Sequence, residues 1–271
     1  MRKKIVLVGG GNMGEALVAG LLNSGHWQPS QITVCDVRHD RLASLQRRYK
    51  VKTSAHNRRP VRRADVVLLA VKPQHMKHVL EDIGPVIRPS QLILSIAAGI
   101  TTRFIEKFLA RGVPVLRIMP NTPALVGQGM AAIARGRFAK ESHQHVARSI
   151  METVGRVVTV PEKEMNAVTA VSGSGPAYVF YLAEAMRDAG VKLGLAPQIA
   201  DQLVRQTVKG AGALLAQSRD EAHTLREHVT SPGGTTEAAL KIMEKANVRK
   251  IISEALRRAA ERSRELSQAQ H

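Results

Sequence analysis

The chain has 271 residues, enough for one large domain or two modest ones, each with its own core. Hydrophobic residues make up 44% and aromatics 3%, so any core is aliphatic, and the composition excludes the disordered and fibrous classes. The formal net charge of +18 raises the question of a polyanion partner, while the single cysteine, Cys35, excludes an intrachain disulfide and suits a reducing compartment.

The first residues, Met1 to Gly14, combine a basic start with one short apolar run, Ile5–Val8. They lack the longer apolar stretch and cleavage site of a secretory leader, so the expected location is the cytoplasm. No apolar run approaches the roughly 18 residues that span a bilayer; Leu92 to Ile100 is the longest, and no membrane partner is expected.

The Ile5–Val8 run predicts a strand, and Asn12–Ser24 predicts the helix after it. Between them lies Gly9-Gly10-Gly11-Asn12-Met13-Gly14, a G-x-G-x-x-G turn at Gly9, Gly11 and Gly14. Asp36 follows 22 residues later, at the end of a second predicted strand, Ile32–Cys35. Glycines alone are a weak signal, but strand, turn, helix and acidic residue in this order match a dinucleotide fingerprint. Gly9 permits the tight turn, Gly11 lets the backbone approach a pyrophosphate, and Gly14 lets the helix lie close to the sheet. The cofactor is NADH or NADPH. Asp36 would bond a ribose 2′-OH and repel a 2′-phosphate, whereas Arg38, Arg41 and His56-Asn57 could hold one.

Between Arg38 and Arg63 there are ten Lys or Arg against one acid, Asp40. Only Tyr49 interleaves with them, so no base-stacking platform exists, and a solvated basic face is favoured over a nucleic-acid surface. A helix is predicted over Arg41–Tyr49. Further strands are expected at Val66–Val71, Leu92–Ile96, Val115–Ile118 and Val157–Val160, with a helix over Gln74–Ile83. The nearly continuous apolar character of these strands is that of parallel strands covered on both faces. Two strand ends carry motifs. Ala70-Val71-Lys72-Pro73 is expected to wall the cofactor, with Lys72 a less favoured catalytic amine. Ser95-Ile96-Ala97-Ala98-Gly99 has small side chains that would admit the nicotinamide ribose.

Beyond Glu162 the strand signals stop. Helical spacing runs through Pro176–Leu193, Pro197–Gln217, Thr235–Glu244 and Val248–Leu266, followed by a polar tail from Ser267 to His271. The expected fold is α/β: a doubly wound, Rossmann-type dinucleotide-binding domain over residues 1–162, then an all-helical domain over 163–271. Small residues such as Gly210, Ala211, Gly212 and Ala213 would allow close helix contact within the chain or between copies. Three polar-glycine motifs remain: Met119-Pro120-Asn121-Thr122-Pro123, Ser172-Gly173-Ser174-Gly175-Pro176-Ala177-Tyr178 and Ser231-Pro232-Gly233-Gly234-Thr235-Thr236. The last precedes a helix, so Ser231, Thr235 or Thr236 either caps it or joins the glycine amides in a carboxylate cradle.

Taken together, GGGNMG (9–14), AVKP (70–73), SIAAG (95–99), MPNTPALV (119–126), AVSGSGPAYVF (170–180) and SPGGTTEAAL (231–240) closely resemble the pyrroline-5-carboxylate reductase family, in the family's order and over nearly the whole chain. The resemblance implies a dinucleotide-binding domain followed by a helical dimerisation domain that intertwines with a partner's, in a homodimer or a decamer built from dimers. It implies reduction of Δ1-pyrroline-5-carboxylate to L-proline, with NADPH slightly favoured over NADH. Carried over by motif, Asn12, Met13, Lys72, Pro73, Ala97 and Ala98 should line the cofactor, and Asn57 matches a family position near the adenosine ribose or its phosphate; with Gly9, Gly11, Gly14, Asp36, Arg38, Ala70, Val71, Gly99 and Asn121 these are the expected cofactor residues. Ser231, Gly234, Thr235 and Thr236 should hold the substrate, with the Thr236 hydroxyl near the ring nitrogen. The stretch from Gln217 to His228 departs from the family's usual glycine-histidine-proline pattern, which puts that loop in question.

The motifs offer no His, Lys or Tyr base in SPGGTT or MPNTP. A hydroxyacid dehydrogenase needs such a group; Lys192 and Lys209 lie outside the motifs. Reduction of a protonated imine needs chiefly that two reactants be positioned. A dinucleotide-sensing regulator that binds nucleic acid is the non-enzymatic rival, and no helix-turn-helix signal supports it.

Overall fold

The computed structural model describes residues 3–268. These residues divide into two compact units: 3–174 together with 259–268, and 175–258. The expected division at residue 162 differs from this in two ways. Residues 163–174 belong with the first unit, and so does the end of the last helix. Of the predicted polar tail, Ser267 and Gln268 lie in that helix, and 269–271 fall outside the described residues.

The first unit is built on one eight-stranded sheet. Its strands are β1 (Ile5–Val8), β2 (Ile32–Cys35), β3 (Lys52–Ser54), β4 (Val66–Leu69), β5 (Leu92–Ser95), β6 (Val115–Pro120), β7 (Gly129–Arg135) and β8 (Gly155–Thr159), in the order β3-β2-β1-β4-β5-β6-β7-β8. The chain leaves β1 toward β2 on one side and returns to β4 on the other. The carboxyl ends of β1 and β4 therefore border the crevice where such sheets take ligands. β1 pairs with β2 and β4 in parallel, Val8 lying opposite Cys35 and Leu69.

Helices α1 (Asn12–Asn23), α2 (His39–Tyr49), α3 (Arg58–Arg63), α4 (Met76–Ile83), α5 (Thr102–Glu106) and α6 (Glu141–Met151) flank the sheet. Strand side chains alternate between its faces. Ile5, Leu7, Ile32 and Val34 pack with Leu17 and Leu21 of α1 and Ile150 of α6. Val6, Val8, Val67 and Leu69 pack with Val61 of α3, Leu80 of α4 and Ile105 of α5. Two-sided coverage is why these strands read as unbroken apolar runs.

The sheet is not wholly parallel, as the sequence had suggested: β6 and β7 pair antiparallel, with Ile118 opposite Ile133. Only residues 121–128 separate them, too few for the dozen or so that a parallel crossover requires. After β8, the one-turn helix α7 (Met165–Val168) runs into a π-helical turn, Thr169–Gly173.

The second unit holds α8 (Gly175–Lys192), α9 (Pro197–Gln217), α10 (Ala222–His228), α11 (Thr235–Lys245) and the first half of α12 (Val248–Gln268). The stretch that departs from the family pattern folds as α10. Proline at the start of α9 occupies the position where its missing N–H costs nothing. Within residues 175–258 a single side chain, Ala200, is buried. Phe180, Tyr181, Leu203 and Ile242 are 66, 75, 53 and 68% exposed. Apolar surface on this scale needs a covering partner. None of the described helices is long and apolar enough to cross a membrane.

Candidate dinucleotide and substrate sites

The glycine turn follows from sterics. Gly9 sits at φ +107°, and a Cβ there would lie 2.5 Å from the carbonyl oxygen of Ala70. A Cβ on Gly14 would lie 2.5 Å from the Gly9 oxygen, so only glycine lets α1 start this close to the strand. Gly11 differs, since nothing lies within 4 Å of where its Cβ would be. It is the N-cap of α1, and no side chain caps the helix. The first-turn amides therefore face open space with the positive end of the helix dipole, which is the donor set a pyrophosphate needs. The residues present fit a dinucleotide.

Asp36 is already engaged. Its Oδ2 accepts the Gly10 N–H at 2.8 Å and its Oδ1 accepts the Arg38 N–H at 2.9 Å. The Arg38 Nε adds a contact of 3.4 Å. Partial burial works to raise its pKa, but the two backbone amides and the Arg38 charge outweigh it and hold the carboxyl below its ordinary value. Asp36 thus braces the glycine turn. Arg41, read from sequence as a phosphate ligand, is likewise committed: its guanidinium donates to the carbonyls of Gly10 and Gly11 and pairs with Glu15 at 2.5 Å. Glu15 also accepts from Arg48 at 3.0 Å and the Tyr49 hydroxyl at 2.9 Å. Its carboxyl is held low by these groups against the opposing effect of burial. Arg38, 57% exposed at its side chain, keeps donors free toward solvent. Asn57 gives one side-chain amide hydrogen to Asp82 at 3.2 Å, and its backbone carbonyl accepts the Val61 N–H at 3.0 Å.

The structure brings the expected strand-end residues together at the same edge. Ala70 N–H donates to the Val8 carbonyl at 2.8 Å, and Ile96 N–H to the Leu69 carbonyl at 3.1 Å. The turns that follow β1, β4 and β5 therefore lie side by side. Lys72 precedes the 3-10 turn Pro73–His75 and is exposed. Ala97 is buried while Ala98 is exposed, and Gly99 at φ +76° lies against Leu266 and Ser267 of α12. Asn121 donates to the Ser172 carbonyl at 3.2 Å and accepts from the Met130 N–H at 2.8 Å, which ties the MPNTP turn to the SGSGP turn.

The SPGGTT turn, in the second unit, starts α11 with Gly234 as N-cap. No side chain caps this helix, so the reading of Ser231, Thr235 or Thr236 as a simple cap does not hold. Gly233 sits at φ +72°, and its N–H is taken by Glu237 at 2.7 Å. Glu237 is held low first by its hydrogen bond to Lys241. Among the described residues the hydroxyls of Ser231, Thr235 and Thr236 have no side-chain partner, and they flank the uncapped first turn, an arrangement suited to a carboxylate.

Sequence reasoning missed the role of two further residues. Arg117 is 4% exposed on β6, and its Nη1 lies 3.6 Å from Glu162. Burial lowers its pKa, and Glu162 partly restores it. The signal was an arginine inside an otherwise apolar strand, which must find a counter-charge.

Comparison with known proteins identifies the family. Residues 162–266 match the family model described as pyrroline-5-carboxylate reductase dimerisation, and residues 4–99 match the one described as NADP oxidoreductase coenzyme F420-dependent. The chain is 42% identical to the pyrroline-5-carboxylate reductase of Synechocystis, over 98% of this chain and 99% of that one. A solved pyrroline-5-carboxylate reductase from Coxiella burnetii superposes with a TM-score of 0.93 at 38% identity, covering 98% of this chain and 99% of that one. The Plasmodium falciparum enzyme, solved with NADP bound, gives 0.87 at 29% identity, covering 98% of each. The chain belongs to the pyrroline-5-carboxylate reductase family.

Proposed function

We propose that this chain reduces Δ1-pyrroline-5-carboxylate to L-proline with NADPH or NADH, in the cytoplasm, as a homodimer or a decamer built from dimers. One observation carries the reading: an uncapped helix start bearing three hydroxyls and no His, Lys or Tyr base, in a chain whose other half has an uncapped, glycine-lined helix start suited to a dinucleotide. When bound, the dinucleotide supplies the hydride that adds to C5 of the protonated imine. The chain's residues bind and orient. Gly9, Gly11, Asn12, Met13 and Gly14 take the pyrophosphate. Ala70 to Pro73, Ala97 to Gly99 and Asn121 wall the nicotinamide half. Arg38 and Asn57 meet the adenosine end.

Ser231 and the Gly234–Thr235 backbone grip the substrate carboxylate, and Thr236 orients the ring nitrogen. NADPH is preferred. Asp36 has both oxygens engaged by Gly10 and Arg38, so it offers a ribose hydroxyl little free capacity, while Arg38 stands exposed beside it.

Steady-state assays with pyrroline-5-carboxylate and each reduced cofactor test the reaction and the preference. Thr236→Val tests the orienting role. Loss of one oriented polar contact costs about 1–3 kcal/mol, or about one to two orders of magnitude in kcat/KM. A value within twofold of wild type removes Thr236 from the site.

A further inference from the structure

We propose that Glu162 is a positioning residue that locks together the turns after β5 and β6 and the approach to the SGSGP turn. Its Oε1 accepts the backbone N–H of Thr102 at 2.8 Å, and its Oε2 accepts the Thr102 hydroxyl at 2.6 Å. The same Oε1 lies 3.6 Å from Arg117 Nη1. Thr102 and Arg117 are each 4% exposed and the Glu162 side chain 27%, so these contacts are partly shielded from solvent.

The three residues stand beside three motifs. Thr102 opens α5, three residues after Gly99. Arg117 is on β6, two residues before Met119 and four before Asn121. Glu162 begins the segment that runs through α7 and the π-helical turn to Ser172 and Gly173. A second tie closes the circuit further on, because Asn121 donates to the Ser172 carbonyl and the Met119 side chain occupies the space where a Gly173 Cβ would stand. A bidentate acceptor on one threonine, with a cation on the far side, fixes Glu162 in position and orientation. Arg117 in turn depends on it: its Nη2 is buried without a hydrogen-bond partner, and Glu162 is the acid that faces it. Without Glu162 an uncompensated charge remains buried on an interior strand, and β6 must shift to relieve it. A shift of about 1 Å in a positioning element can cost on the order of 100-fold in rate.

The inference rests on the assignment of Ala97–Gly99 and Asn121 to the dinucleotide wall. The test compares wild type, Glu162→Ala, Glu162→Gln and Thr102→Val. Measurements are kcat, KM for each substrate, the dissociation constant for NADPH from its fluorescence, and amide exchange of the ligand-free protein over 95–102 and 117–123. Glu162→Ala is expected to lower kcat about tenfold or more, the loss of a charge-assisted contact. It should weaken NADPH binding and speed exchange in both peptides, while KM for the imine moves less than about threefold. Glu162→Gln keeps an acceptor for the Thr102 N–H but not the charge that faces Arg117, so it should restore slow exchange over 95–102, leave 117–123 fast, and recover kcat only in part.

Wild-type kcat, NADPH affinity and exchange in folded Glu162→Ala would overturn the proposal, as would a loss that follows only the unfolded fraction. If Glu162→Ala does not fold, Thr102→Val decides: faster exchange over 95–102 with a lower kcat supports the lock, and no change in either refutes it. A wild-type protein with no turnover would remove the underlying site assignment, and this inference with it.

Discussion

The glycine turn permits a prediction in which stability and binding move in opposite directions. In Gly14→Ala the new methyl would stand 2.5 Å from the Gly9 oxygen, where ordinary contact begins at 3.4 Å, so α1 or the turn must give way by nearly 1 Å. Overpacking of this kind costs about 1–3 kcal/mol, which for a unit of this size lowers Tm by roughly 2–12 °C. In Gly11→Ala the methyl meets nothing within 4 Å, and the backbone at φ −64°, ψ −174° is open to alanine. The substitution should leave Tm unchanged or raise it slightly, because a less flexible unfolded chain is worth about 0.4–1 kcal/mol. Yet that methyl projects into the open space proposed for the pyrophosphate, so NADPH affinity should fall about tenfold or more, at least 1.4 kcal/mol. Differential scanning fluorimetry and NADPH fluorescence titration on both variants give the four numbers required. If Gly11→Ala binds NADPH as tightly as wild type, the open face of α1 is not the phosphate site.

Cys35 is buried and its thiol is pushed up to about 12 by loss of solvation, so it should resist iodoacetamide at pH 8 in the folded protein and react at once in guanidinium. Asp36 and Glu15 both have carboxyls held below their ordinary values of 3.8 and 4.5. Their contribution is therefore full above those values and is lost as pH falls through the lowered ones. Thermal stability should drop on acidification below roughly pH 4, and more shallowly in Asp36→Asn; an identical acid limb in that variant would remove Asp36 from the turn's support. Phe180 is exposed on α8 in the single chain, and Phe180→Asp should shift sedimentation toward the monomer. An unchanged sedimentation coefficient would place the partner surface elsewhere.

How much of this was legible in the sequence depended on whether local chemistry or tertiary pairing decided the matter. β1, β2, β4, β5 and β6 announce themselves because both faces are covered and their residues are aliphatic. β3 escaped because Lys52, Thr53 and Ser54 form a polar edge strand. β7 escaped because Gly129-Met-Ala-Ala-Ile-Ala-Arg135 has little β-branched character, although small residues suit its packing against β6 and β8. Gly9 and Gly14 could be assigned from spacing, since their reason is local backbone geometry. The commitment of Asp36 to Gly10 and Arg38, and of Arg41 to Glu15, could not, because nothing local decides which of several nearby partners a charged side chain selects. The same holds for Glu162 and Arg117, 45 residues apart, which meet only when the sheet closes.

The last turns of α12 rejoin the first unit, with Ser263 buried and its hydroxyl donating to Asn166 at 2.9 Å, and with Leu266 and Ser267 against Gly99. The helical unit is therefore an insertion, anchored to its host at both ends rather than trailing from one. During synthesis, the SIAAG loop waits for its backing until residues near 267 leave the ribosome, a delay of roughly 5–20 s after residue 174 at ordinary elongation rates. The first unit is thus begun first and finished last, and a nascent chain stalled in α9 or α11 would hold its SIAAG loop, the proposed cofactor wall, without the backing of α12.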